Sequence, residues 1–421
     1  MKPIQAIKFL PNASFDMTEM ALDSIGRSDC IRDITTPSEH SGATRPILPI
    51  PAGGIWNFDI TNGKEANGYK LIEDALTAAG ARRDFSLCLD CAGEGFLMHP
   101  HIQERLAIRF RDWGLNPNST YLLSSRIGVE DYYLTWCKEH GYDPVFKTIY
   151  IPVQLYYVSG EHGKITDLSV LKDLASRGGN QIKRMRPKKY LSLNLSPRDA
   201  RWALVLSLMD AGLMDSGLVS FYGRHIDNGA LDAPPDLKEV RSWLERLQVP
   251  SNIIDRLPEL DAATPIQLDV EPSSRVEKAY APSFPDFYKD TYFSIVTESD
   301  FPGNYGSRFS EKVLKPFLNF HPFVLIGTPG VLAELRRLGF QTFHPYIDES
   351  YDGILDPAER LKRAIDVALE LANRTDAQLS EFYEAVWPRL THNFFHIIAG
   401  VPNLIETDRG LITLSSGDIP A

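Results

Sequence analysis

"FSEKVLKPFLNFHPFVLIGTPG", Phe309 to Gly330, is the stretch on which the fold turns. A capping serine, then an acidic and a basic residue, open a short apolar helix ending near Phe320. A dense apolar run from Phe323 to Ile326 follows, closed by Gly-Thr-Pro-Gly. Just upstream, "TYFSIVTES" (Thr291 to Ser299) is a second apolar run. A continuous apolar strand, a helix and another apolar strand are what a parallel sheet covered on both faces requires.

The same rhythm runs outward in both directions. IWNFDI (Ile55 to Ile60), FSLCLDC (Phe85 to Cys91) and STYLLSS (Ser119 to Ser125) read as strands. GYKLIEDALTAAG (Gly68 to Gly80), HIQERLAIRFRDWG (His101 to Gly114) and VEDYYLTWCKEHG (Val129 to Gly141) between and after them read as helices that end at glycine. Residues 1 to about 50 read as irregular, with PILPIPAGG (Pro46 to Gly54) as an extended lead-in. After a basic run, QIKRMRPKK (Gln181 to Lys189), the alternation resumes. YLSLNL (Tyr190 to Leu195), LVSFYG (Leu218 to Gly223), the two apolar runs already quoted and a short FQTF (Phe340 to Phe343) read as strands. DARWALVLSLMDAG (Asp199 to Gly212), VLAELRRLG (Val331 to Gly339) and ERLKRAIDVALELANR (Glu359 to Arg374) read as helices, and residues 225–285 are a Pro- and Asp-rich insert with one helix, DLKEVRSWLERL. The pattern predicts an α/β chain of two domains, 1–180 and 181–385, with a helical tail at 386–421 that packs back on the first.

Composition narrows the function classes. The chain has 421 residues, 43% hydrophobic and 24% charged, with net charge −11. That acidity argues against bulk nucleic-acid binding, which needs a positive face. No apolar run approaches membrane-spanning length and no signal-peptide core opens the chain, so a cytoplasmic location is expected. The four cysteines make no disulfide framework. Cys88-x-x-Cys91 and Cys137-x-x-His140 have zinc-type local spacing, but their wide separation and the position of Cys88 inside an apolar run favour buried thiols. GxSxG, P-loop and GxGxxG patterns are absent. No HExxH or paired spacing joins His99, His101, His225, His321 and His344, which read as structural.

Ligands in parallel sheets sit at the carboxyl ends of strands. After YLSLN comes Asn194-Leu-Ser-Pro-Arg198-Asp-Ala-Arg201, a strand-to-helix turn with two arginines suited to phosphate. After YFSIV comes Thr297-Glu298-Ser299, where a carboxylate can hold two sugar or ribose hydroxyls. Ser310 and Glu311 are explained by helix capping and the dipole, and Glu311 has an i,i+4 partner in Lys315. Lys312 opposes the dipole, and an anion bound at the helix start would offset it. The cluster Asp348, Glu349 and Asp352 in YIDESYDG reads as a structural loop, with metal binding as the sharper alternative.

These segments, in this order, resemble the donor-binding motifs of the α1,3-fucosyltransferase family of glycosyltransferases. The likeness covers roughly residues 190–370 apart from the insert. With GFQTFHPYIDESYDGILDPAERL added, it is closer to bacterial and phage glycosyltransferase-like proteins. The resemblance implies a GT-B fold, two Rossmann-like domains facing across a cleft. It implies a nucleotide-sugar donor, a GDP-sugar by the family's pattern, and an inverting, metal-independent transfer to a saccharide, protein or modified-DNA hydroxyl. Arg201 and Lys312 would then contact the diphosphate, with Arg198, Asn194 and Ser310 nearby, Glu298 on donor hydroxyls and Glu311 beside the ribose or sugar. The sequence has Thr297-Glu298-Ser299 where the family has Asn before Ser, and Phe309-Ser310 in place of its Tyr-x-Thr, so Tyr305 stands in for the tyrosine. The base expected from the first domain is Glu94, between two glycines after the FSLCLDC strand, or else Asp90. The alternative is a glycosyltransferase-like protein that binds a glycan or partner without catalysis.

Overall fold

A computed structural model describes residues 100–150, 184–224, 235–268, 286–302 and 306–400, with shorter pieces at 6–7, 31–32, 47–51, 73, 76–77, 86–91, 152–155, 158, 182, 226–227 and 230–231. The chain is α/β, with parallel sheets in two compact units. The first holds the described residues up to 158, together with 306–308; the second holds those of 182–302 and 309–400. No helix among the described residues is long and apolar enough to cross a membrane.

In the first unit, six strands run in parallel: β1 (Ala6–Ile7), β2 (Ile31–Arg32), β3 (Ile47–Pro51), β4 (Ser86–Cys91), β5 (Thr120–Ser124) and β6 (Lys147–Tyr150). Their spatial order is β2-β1-β3-β4-β5-β6. Helices α1 (Pro100–Asp112) and α2 (Val129–His140) connect the later strands. PILPIP differs from its expected role as a lead-in, because it is an inner strand. Pro49 and Pro51 fall at alternate positions, so both missing N–H groups lie on one side of β3, and the pairing of Leu48 and Ile50 with β4 stays intact. The IWNFDI run lies outside the described residues, and of the helix expected over 68–80 only Glu73, Leu76 and Thr77 are described, all helical.

In the second unit, β7 (Tyr190–Asn194), β8 (Gly217–Phe221), β11 (Phe293–Thr297) and β12 (Phe323–Ile326) form a parallel sheet in the order β12-β11-β7-β8. A two-residue antiparallel pair, β9 (Ile226–Asp227) and β10 (Ala230–Leu231), lies in the insert. The main helices of this unit are α3 (Asp199–Asp210), α4 (Leu237–Arg246), α5 (Glu311–Leu318), α6 (Val331–Arg337), α7 (Pro357–Asn373) and α8 (Asp376–Phe395). The insert, expected to hold one helix, adds the short helices Ser251–Ile254 and Leu257–Ala263 to α4, and Asp286–Lys289 precedes β11. Chain order and spatial order diverge at one place. From β7 the chain steps to β8 on one side, then returns through β11 on the other. That reversal is a topological switch point, where the helices leave on opposite faces and open a crevice at the strands' carboxyl ends. The first unit repeats the pattern around β1 and β3.

Packing explains why the strands read as apolar throughout. All five residues of β11 and all four of β12 are buried. Helix α3 is buried from Ala200 to Leu208 and packs against α4 and α7, so it lacks the usual polar stripe. FQTF is not a strand. Its ladder groups are taken by side chains instead: Gln341 N donates to Asn393 Oδ1 at 2.8 Å, and Phe343 N to Glu349 at 2.5 Å. Helix α8 runs unbroken across the domain boundary expected after residue 385, and Tyr383 on it donates to the Phe320 carbonyl of the same unit.

The described cations of the basic run are tied to the second unit. Arg186 is buried, its guanidinium 3.9 Å from the Tyr383 ring centroid and 5.0 Å from that of Tyr292. Arg184 pairs with Asp290 at 2.7 Å, Lys188 donates to the Asp215 carbonyl and Lys189 to that of Ala372. These cations fasten the start of the second unit, which leaves the run less to offer a polyanion.

His321 is wholly buried. Its Nε2 sits 2.8 Å from the Thr291 carbonyl and its Nδ1 2.7 Å from Ser294 Oγ. Nε2 therefore donates, Nδ1 accepts from the serine, and the ring is neutral. Burial pushes its pKa down to about 3. The unfolded chain takes up this proton near pH 6.5 and the folded chain does not, so stability falls as pH drops below that value, by up to about 1.4 kcal/mol per unit. His321→Gln is expected to show a flatter melting temperature than the wild type between pH 7.5 and 5; equal slopes would assign the acid sensitivity elsewhere.

Candidate functional site

The carboxyl ends of β7 and β11 meet at the switch point of the second unit. Asn194 closes β7 and Thr297 closes β11, and Thr297 Oγ1 donates to Asn194 Oδ1 at 2.6 Å. Asn194 Nδ2 donates to Ser192 Oγ at 2.8 Å, and its backbone N to Ser220 Oγ at 3.2 Å. Asn194 is thus buried, with its amide oxygen, amide nitrogen and backbone N–H all engaged, as the floor of the crevice.

Arg201, 2% exposed, ties the two strand ends to α3. Nε donates to Thr297 Oγ1 at 3.1 Å, Nη2 to the Thr297 carbonyl at 3.3 Å and Nη1 to the Ser196 carbonyl at 2.7 Å. Burial lowers its pKa to about 10, with Arg198 adding to the shift and Glu298 and Glu311 opposing it. Arg198, Glu298 and Glu311 are thus near enough to act on its charge. Arg198 is the N-cap residue of α3 and is exposed; no side chain caps the helix there.

Glu298 follows β11 directly and is buried. Its Oε1 accepts from Ser310 N at 2.9 Å and its Oε2 from Ser310 Oγ at 2.5 Å. The carboxylate therefore pins the start of α5 to the end of β11, a role the sequence did not reveal. Gly327, just after β12, leaves it room: a Cβ there would stand 3.3 Å from Glu298 Cγ. Glu298→Ala would leave a buried N–H and a buried hydroxyl without a partner, at a cost of about 2–3 kcal/mol. Denaturant unfolding without ligand tests this; a side chain that served only to hold sugar hydroxyls would leave that stability unchanged.

Ser310 caps α5, with its side chain accepting from Lys312 N. Lys312 does not stand alone against the dipole. Its Nζ lies 2.8 Å from Glu311 Oε1, so Glu311 pairs with its neighbour rather than with the expected Lys315. Burial raises the Glu311 carboxyl, but Lys312 and Lys315 outweigh it and hold the pKa below the usual range. Burial lowers that of Lys315. Lys312 remains 32% exposed beside a helix N-terminus, with Arg198 at another. Two helix starts and two accessible cations at one strand edge form an anion-binding arrangement.

Asn194, Arg198, Arg201, Glu298, Ser310, Glu311 and Lys312 thus lie around the carboxyl ends of β7 and β11 and the starts of α3 and α5. Thr297, their central bridge, was missed, although a hydroxyl closing an apolar strand was a signal. Glu94 and Tyr305 lie outside the described residues; Asp90 is placed in β4 by its backbone, and its side chain is not described. Among the described residues, no group of three His, Cys, Asp or Glu could hold a metal ion. Cys137 is buried with its thiol pKa raised by burial, and the His140 ring stacks on Trp136, 4.8 Å between centroids. The side chain of Cys88 lies outside the described residues. The acidic loop points three ways. Asp352 accepts from Leu332 N and Ala333 N at the start of α6, Glu349 from Thr342 and Arg336, and Asp348 from Ser350 N and Arg363.

No family model matches the chain, and no curated protein is significantly similar to it.

Proposed function

We propose that the chain is a glycosyltransferase of the two-domain GT-B type, its second unit holding the diphosphate of a nucleotide-sugar donor. The observation that carries this reading is the meeting of two helix starts, Arg198 and Lys312 at the β7/β11 switch point. Leaving a sugar, a nucleoside diphosphate gains negative charge. Cationic side chains and free helix N–H groups stabilise it most where they are held in place beforehand. Arg201, Asn194, Thr297 and Glu298 provide that rigidity from beneath. In this reading the first unit supplies a carboxylate base, Asp90 or Glu94, that takes the proton of the attacking hydroxyl as the glycosidic bond forms. GDP is the first nucleotide to try.

A second reading, a binding protein without transfer, is favoured by Glu298, whose two oxygens are already engaged by Ser310. Incubation with GDP-, UDP-, ADP- and CDP-sugars separates the two. Release of free nucleoside diphosphate supports the transferase; a thermal shift with no release supports the binder; neither effect with any of them removes both.

A further inference from the structure

Away from the switch point, the second unit carries a cleft of about 550 Å³ between the loop after α6 and the α8 helix. That is within the range of small-molecule sites, roughly 300–1,000 Å³. Its acidic lining is committed. Glu349 is buried and accepts from Thr342 Oγ1 at 2.7 Å, Phe343 N at 2.5 Å and Arg336 Nη1 at 2.8 Å. Asp348 accepts from Ser350 N at 2.9 Å and pairs with Arg363.

The donors of the lining are only partly committed. Arg336 uses only Nη1, for Glu349 and Thr342 Oγ1. Arg389 uses only Nη1, for the Thr342 carbonyl, and its guanidinium lies 5.5 Å from the Tyr346 ring centroid, which fixes its plane. Among the described residues, Nε and Nη2 of both arginines have no further partner, and neither do the side chains of Gln341 and His344. We infer that this cleft is a second binding site, which takes the phosphate group of a small molecule. A sugar hydroxyl asks for acceptors as well as donors; here both carboxylates are engaged, and Gln341 and His344 offer one acceptor each against the open edges of two guanidinium groups. A tetrahedral oxyanion uses donors alone, and a lining with two guanidinium groups and an amide supplies them. The site shares no residue with the one at β7 and β11.

Calorimetric titration of the whole chain tests this, with inorganic phosphate, a sugar monophosphate, the free sugar and succinate as probes. Saturable binding of a phosphate at about millimolar concentration or tighter is expected, and Gln341→Glu and Arg389→Gln should each weaken it roughly tenfold or more. Gln341→Glu alters an exposed side chain, so its unliganded melting temperature stays that of the wild type. Lys312→Ala should leave this binding intact. Tighter binding of the sugar phosphate than of phosphate marks an organic phosphate as the ligand, and equal binding marks free phosphate. No binding of either by about 10 mM, binding that both variants leave unchanged, or tighter binding of succinate or the free sugar overturns the inference.

Discussion

Arg360→Met is expected to destabilise the second unit by about 3–5 kcal/mol. Arg360 lies on α7, is 2% exposed, and has no ion-pair partner among the described residues. Its guanidinium is hydrogen-bonded by backbone carbonyls and lies 4.9 Å from the Phe301 ring centroid. Nε donates to Gly327 at 3.1 Å, Nη1 to Ile354 and Leu355 at 2.8 and 3.1 Å, and Nη2 to Phe301 and Pro302 at 2.6 and 3.1 Å. One side chain thus joins the end of β12, the loop after Glu298 and the turn before α7. Burial depresses its pKa to about 10, so it stays charged at neutral pH. Methionine keeps much of the volume and leaves the carbonyls without donors, each a cost of about 1–3 kcal/mol where water cannot reach. Arg360→Lys should recover part of the loss, since an ammonium has three donors but no planar fork. Denaturant unfolding measures both; a loss under about 1 kcal/mol for methionine would show that water replaces the clamp.

Lys312→Ala is expected to do the opposite: little to stability, much to binding. The lysine is a partly exposed ion-pair member, and such pairs contribute about 0–1 kcal/mol. Against a diphosphate, one lost charge-assisted contact should weaken affinity about tenfold or more. Arg201 cannot serve as this probe, because its bonds to Ser196 and Thr297 make it part of the scaffold. Equal nucleotide affinity in wild type and Lys312→Ala, with nucleotide bound, would move the diphosphate away from α5.

The strands and helices around the switch point were legible in the sequence because fully buried strands and capped helices have strong local signals. TYFSIV, FVLIG and SEKVLKPF fold as read. What was not legible depends on distant partners. FQTF has strand composition, but Asn393 and Glu349 take its backbone donors. PILPIP read as an extended lead-in because prolines weaken a strand signal, yet their spacing keeps one ladder whole. The start of α6 has Gly330 as N-cap and no side chain of its own, and Asp352 caps it from 20 residues on. At the site, the residue types were legible and their division of labour was not. Asn194, Arg201 and Glu298 were read as ligand contacts, and the structure engages all three with protein groups. Lys312 and Arg198 remain the accessible cations.

The most direct test of the central claim is a calorimetric titration of the wild-type chain with GDP, UDP, ADP and CDP at low salt. The account predicts saturable 1:1 binding of at least one of them in the micromolar range, about −6 to −8 kcal/mol, that weakens as salt is raised and falls about tenfold in Lys312→Ala. Absence of binding by all four would contradict it.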